Sequence, residues 1–121
     1  MATVEQARAF ALELPEVVEA GHMGKPDFRV GGKVFASLPA GARMSLRLDP
    51  AEQAAVVGSA PDAFAPAAGA WGRQGWTVVQ LAAVDPEELR ELVVGAWRFR
   101  APRKLLAAYD VAHPPPPPEA A

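Results

Sequence analysis

The side chains of this sequence best suited to chemistry are its cations, and the chemistry they offer is anion binding. Arg98, Arg100, Arg103 and Lys104 form the densest basic segment, beside Trp97 and Tyr109. Guanidinium and ammonium groups at this spacing suit contact with phosphate. A structural reading stands next to that one: cations at the C-terminal end of a helix gain about 0.3–1 kcal/mol each from its dipole. A second group is more dispersed. Arg29, Arg43 and Arg47 can share the outward face of a sheet, with Lys33 and Phe35 joining them if the register allows. A basic face with an aromatic can hold a phosphate backbone and stack a base. The plain alternative is a solvated sheet face, or one covered by a second copy.

The remaining reactive types are sparse. His22 lies beside Lys25 in Gly21-His22-Met23-Gly24-Lys25-Pro26, and with Trp76 these residues form a candidate ligand loop. A proton shuttle is one use for such a histidine; a hydrogen bond to backbone or water is the plainer one, since no nucleophile stands near. The segment lacks the Gly-x-x-x-x-Gly-Lys-Ser/Thr spacing of a phosphate loop and does not open a helix. His113 is isolated near the end. Two distant histidines and no cysteine make no zinc or iron motif, and no cofactor is implied. No Gly-x-Ser-x-Gly elbow occurs. Of the fourteen carboxylates, Asp49, Glu52, Asp85, Glu87 and Glu88 sit at helix starts, where the positive helix end explains them. No catalytic residue is assigned.

Composition bounds what these groups can do. The chain has 121 residues, half of them hydrophobic and 21% charged, which fits one globular domain. That length can bury roughly 65% of the unfolded surface. Net charge is −2 and the pI about 5.6, whereas dedicated non-specific DNA binders usually exceed a pI of about 9. Any basic patch must therefore be local. No apolar run nears the roughly 20 residues that cross a bilayer. Glu5, Arg8 and Glu13 interrupt any signal-peptide core, so no membrane association and a cytoplasmic location are expected.

The elements that position these residues follow from patterning. Thr3 and Gln6 have capping-box spacing for a helix over Val4–Leu12, stopped by Pro15. Glu16–Ala20 reads as a short extended piece and Gly21–Pro26 as a loop. Asp27–Val30 and Lys33–Leu38 flank Gly31-Gly32, a two-residue hairpin turn. Arg43–Leu48 alternates, with Met44, Leu46 and Leu48 on one face, as a half-buried strand does. Residues 27–48 are thus a three-stranded meander. Asp49-Pro50-Ala51-Glu52 opens a helix ending near Gly58. Residues 59–70 read as a loop, Trp71–Arg73 as a short strand, Gln74-Gly75 as a turn and Trp76–Leu81 as a strand. Asp85-Pro86 opens the longest helix, to about Arg100, with Leu89, Leu92, Val93 and Ala96 inward. Pro102 interrupts it, and Arg103–Tyr109 adds a last turn or short helix. Pro114–Pro118 can only be extended, as polyproline II. One domain over residues 1–110 and a disordered proline-rich tail over 111–121 are expected.

Ala11-Leu12-Glu13-Leu14-Pro15, Gly24-Lys25-Pro26-Asp27-Phe28-Arg29-Val30, Gly32-Lys33-Val34-Phe35-Ala36, Gly75-Trp76 and the helix from Asp85 to Arg98 follow one another along the chain. In this order they resemble the MmcQ/YjbR family of small bacterial proteins. The resemblance spans roughly residues 3–106. It implies an α+β fold, two layers with an antiparallel sheet in the order α-β(3)-α-β(2)-α, related in shape to type III secretion chaperones. Family members are commonly labelled DNA-binding by fold analogy, and the resemblance brings no catalytic residues. Many members carry basic or histidine residues just before the tryptophan matched by Trp76. Gly72-Arg73-Gln74-Gly75 departs from that, with one charge.

The expectation is a non-enzymatic binding domain that holds nucleic acid weakly. The phosphate contacts would come from Arg98, Arg100, Arg103 and Lys104, with Arg29, Lys33, Arg43 and Arg47. A protein-interaction or chaperone-like module, including self-association, is the alternative. A small-molecule enzyme is the third reading, and it needs a deep pocket near His22, Lys25 and Trp76.

Overall fold

The computed structural model describes residues 1–22 and 24–114; the side chain of His22 lies outside the described part. Helix α1 covers Val4–Leu12, and the Thr3–Gln6 capping box is formed, each side chain bonded to the other residue's backbone N–H. Strands β1 (Val18–His22), β2 (Lys25–Val30), β3 (Lys33–Ser37) and β4 (Arg43–Arg47) follow. Then come α2 (Pro50–Ser59), β5 (Phe64–Pro66), α3 (Gly69–Gln74), β6 (Trp76–Gln80), a short 3₁₀ turn at Leu81–Ala83, α4 (Pro86–Arg100) and α5 (Arg103–Ala112). The fold is α+β. All six strands form one antiparallel sheet in the order β1-β2-β3-β4-β6-β5.

The expected element order is present with additions. The meander has a fourth strand at its front, because β1 and β2 pair from Val18–Arg29 to His22–Lys25 through the segment expected to be a loop. Pro26 argued against a strand there. It is accommodated opposite Gly21, and its carbonyl accepts from Leu38 N–H. Phe64–Pro66, within the expected long loop, pairs with β6 and buries Phe64.

Trp71–Arg73, expected as a strand, is instead part of helix α3. The turn residue Gly75 ends that helix in the left-handed region (φ 116°), donating to Gly72 and Trp71 carbonyls. A Cβ on Gly72 would stand 2.0 Å from the Ala67 carbonyl oxygen, so glycine lets α3 lie against the strand that precedes it.

One face of the sheet holds the core. Phe28, Val30, Phe35, Ala36, Met44, Leu46 and Val79 are buried beneath α1 and α4, which supply Ala7, Ala11, Leu89, Val93, Ala96 and Trp97. The register shifts at Phe28/Arg29, so β3 carries an extra residue there. Both Phe35 and Ala36 consequently turn inward. Phe35 was expected beside Lys33 on the outward face; the bulge puts it, fully buried, in the core. Asp49 and Asp85 cap α2 and α4 as their spacing predicts, accepting from Ala51 and Glu87 N–H.

Candidate anion-binding corner and open sheet face

The basic residues separate into paired and unpaired groups. Arg29 lies across Asp27 at 3.0 Å on the same strand face, and that hydrogen bond raises its pKa. Arg43 donates twice to the Ala40 carbonyl, at 3.0 and 2.8 Å. Arg98 is bonded to Asp110 of α5; the pair raises the arginine's pKa and lowers the aspartate's. These three cations already have partners within the chain. Arg29 and Arg43 alternate with buried neighbours and point to the outer face, whereas the Arg47 side chain turns over the end of the sheet to Phe99 of α4. Yet Arg43 and Arg47 begin and end β4, about 13 Å apart at strand spacing. They do not form one patch.

A different set converges. The β2–β3 turn packs on the α4–α5 junction: a Cβ added to Gly31 would stand 2.8 Å from Pro102 Cγ. That contact sets the β2–β3 turn, with Lys33 just past it, against Pro102 at the start of α5. A depression of about 430 Å³ at this junction is lined by Glu16, Gly31, Pro102, Lys104, Leu105 and Ala108. Strand β4 ends at the same end of the sheet at which β3 begins, so Arg47 joins this edge. Its guanidinium lies 4.8 Å from the centre of the Phe99 ring and donates to the Leu48 carbonyl at 2.8 Å. Burial, reinforced by the charge of Arg100, lowers the pKa of Arg47. The Nε–H groups of Arg47 and Arg100 are shielded and find no acceptor among the described residues. Lys33, Arg100, Arg103 and Lys104 form no ion pair among the described residues.

Helix polarity distinguishes the members of the basic segment. Arg98 and Arg100 occupy the last turn of α4, where the dipole favours them. Arg103 and Lys104 are the first two residues of α5, whose N-cap, Pro102, offers no side-chain acceptor. The dipole disfavours cations at that end. The stabilising explanation available for the whole segment in the sequence therefore covers only its first half.

The ligand loop of the sequence reading is not assembled. Lys25 begins β2 and Trp76 begins β6, at opposite ends of the sheet and with two strands between them. His22 ends β1; its side chain, like Met23, falls outside the described residues. The shallow depression near that hairpin is lined by Glu19, Ala20, Gly21, Gly24 and Pro26 and does not include Trp76. Among the described residues no cluster of three or more His, Asp or Glu could hold a metal ion.

Trp76 instead belongs to a depression on the outer sheet face. Ser37 and Ser45 face each other across β3 and β4, and with Trp71, Trp76, Ala67 and Ala68 beside them they line an open depression of about 370 Å³. Reading Trp71 as a strand residue concealed its place on a helix standing over the sheet.

The YjbR family model matches residues 12–99, most of the chain. The chain belongs to the YjbR family. The crystal structure of the Deinococcus radiodurans protein DR2400, which carries a DUF419 domain, superposes on this YjbR protein with a TM-score of 0.74. It is 24% identical, over 93% of this chain and 88% of the other, and the likeness is one of fold. No curated protein matches the sequence. No described helix of this YjbR domain is long and apolar enough to cross a membrane.

Proposed function

We propose that this YjbR domain is a non-enzymatic, cytoplasmic binding protein that holds the phosphate backbone of nucleic acid weakly. The contacts come from Lys33, Arg100, Arg103 and Lys104, with Arg47 behind them. The observation that carries this reading is the placement of Arg103 and Lys104 at the positive end of an uncapped helix, whose first residues follow the Pro102 against which the β2–β3 turn packs. Cations gathered where the helix dipole opposes them are relieved by an anion. Arg29, Arg43 and Arg98 are excluded from the contact set because each is already engaged. With no recognition helix among the described residues, the contacts position phosphate and do not read bases.

The test is fluorescence anisotropy with labelled single- and double-stranded DNA. Four phosphate contacts give a log–log salt slope of about −3.6 on duplex, or roughly a hundredfold loss of affinity between 50 and 200 mM salt. Arg103→Ala/Lys104→Ala is expected to reduce that slope by about 2, and Arg43→Ala to leave it unchanged. Absence of binding up to about 100 μM, the weak end of non-specific affinities, refutes the reading.

A second reading, a protein-interaction module, is favoured by the tryptophan-walled depression on the open sheet face. It is developed below.

A further inference from the structure

The open-face depression borders the basic corner at Trp76, the cross-strand partner of Arg47, but has its own chemistry. Its floor is low because Ser37 and Ser45 are small, and their hydroxyls have no hydrogen-bond partner among the described residues. Its walls are aromatic and methyl: Trp76, Trp71, Ala67 and Ala68. Trp71 is 63% exposed, an apolar area that the described residues leave uncovered. The Nε1–H of Trp76 is itself buried, so the donors this surface offers a ligand are the two hydroxyls. A depression with aromatic walls and hydroxyl donors, and no charged residue in its lining, suits a ligand that is apolar, extended and rich in unpaired carbonyls. Polyproline II meets that description: its rings pack between aromatic side chains, and its carbonyls lack internal donors.

The chain carries such a ligand itself. Five consecutive prolines, Pro114–Pro118, follow α5 after a single residue. Helix α5 lies on the covered side of the sheet, where Tyr109 packs 4.9 Å from Trp97. From His113, five residues of polyproline II reach about 16 Å. The path to the groove crosses a layer spacing of about 10 Å and then about 12 Å of half-sheet, which is longer. The prolines of one molecule therefore cannot fill its own groove.

We propose that the groove formed by Ser37, Ser45, Ala67, Ala68, Trp71 and Trp76 docks the Pro114–Pro118 segment of a second copy of this chain. A contact of five residues buries far less than the roughly 1,200 Å² of a stable interface, so the pairing is weak and reversible. Two copies exchanging segments form two such contacts, and the second benefits from effective concentration.

The test uses the full chain. The synthetic peptide His-Pro-Pro-Pro-Pro-Pro-Glu is titrated into the dilute protein while tryptophan emission is followed, with a serine-for-proline peptide as control. A saturable blue shift in the range of tens to hundreds of micromolar is expected, at least tenfold weaker for Trp71→Ala and for Ser45→Lys, which fills the floor without removing an aromatic. Sedimentation of the full chain should show a monomer–dimer equilibrium, lost when Pro115, Pro116 and Pro117 are replaced by serine. No response up to about 2 mM peptide, or binding that both groove variants retain, overturns the proposal. So does self-association that survives the proline replacement, since another surface then joins the copies.

Discussion

The two faces of the sheet treat the same residue type in opposite ways. On the covered face Trp97 of α4 is fully buried beside Tyr109 of α5, and its Nε1–H donates to the Pro15 carbonyl at 3.2 Å. On the open face Trp71 stands 63% exposed, with serines where the covered face has Met44 and Leu46. One face spends its large side chains on cohesion; the other keeps small residues at its centre and large ones at its border. Size and exposure together separate a core from a binding surface, because a core fills its middle and a groove leaves it empty.

That contrast can be broken by exchange. Trp97→Ala should destabilise by about 3–5 kcal/mol in urea unfolding, from lost burial and the cavity left behind. Trp71→Ala should stay within about 0.5 kcal/mol of the parent while abolishing the peptide response. Equal losses from the two variants would dissolve the distinction between the faces.

A pH effect sharpens it next, since the covered face depends on α5 being held in place. The hydrogen bond from Arg98, followed by its charge, keeps the Asp110 carboxyl below the ordinary carboxylate range. The folded-state pKa is lowered, so the stabilisation is present above the unfolded value near 4 and fades as pH falls through the lower folded value. Amide exchange in α5 should quicken across that acid window. Asp110→Asn should show the quicker exchange already at neutral pH and lose the acid step.

Removing the cations of the corner is expected to act in the other direction. Arg103→Ala/Lys104→Ala should raise thermal stability by a few tenths to about 1 kcal/mol, since the helix dipole opposes both charges. A loss of stability would mean the pair serves the fold.

The smallest effect concerns Glu52, on α2 against Gly95 of α4. Burial, followed by the charge of Asp49, raises its pKa. Stability tied to a raised carboxylate pKa is lost as pH rises through the folded value. Glu52→Gln should therefore gain a few tenths of a kcal/mol near neutral pH, after solvent screening, and nothing below about pH 4.

The elements legible in the sequence were those whose signals are local. Thr3–Gln6, Asp49-Pro50 and Asp85-Pro86 started helices where their cap chemistry said, and the alternation of Met44, Leu46 and Leu48 placed them all in the core. Signals that depend on distant partners were not legible. Phe35 turned inward because of a register shift opposite Phe28, which only strand pairing reveals. Trp71 sits on a helix because Gly75 closes it and Gly72 lets it approach Ala67. The basic segment was visible, but its division between the favourable end of α4 and the unfavourable end of α5 required knowing where Pro102 starts a new helix.

The sheet's two borders differ in a way that bears on assembly by strand pairing. The β5 border is three residues long and includes Pro66, which has no amide hydrogen to offer. The β1 border is five residues long and contains no proline. Lengthening of the sheet by another molecule is thus confined to β1. Antiparallel joining of one β1 to another uses up both free borders at once, so growth by that route stops at a twelve-stranded pair and cannot run on into a fibre.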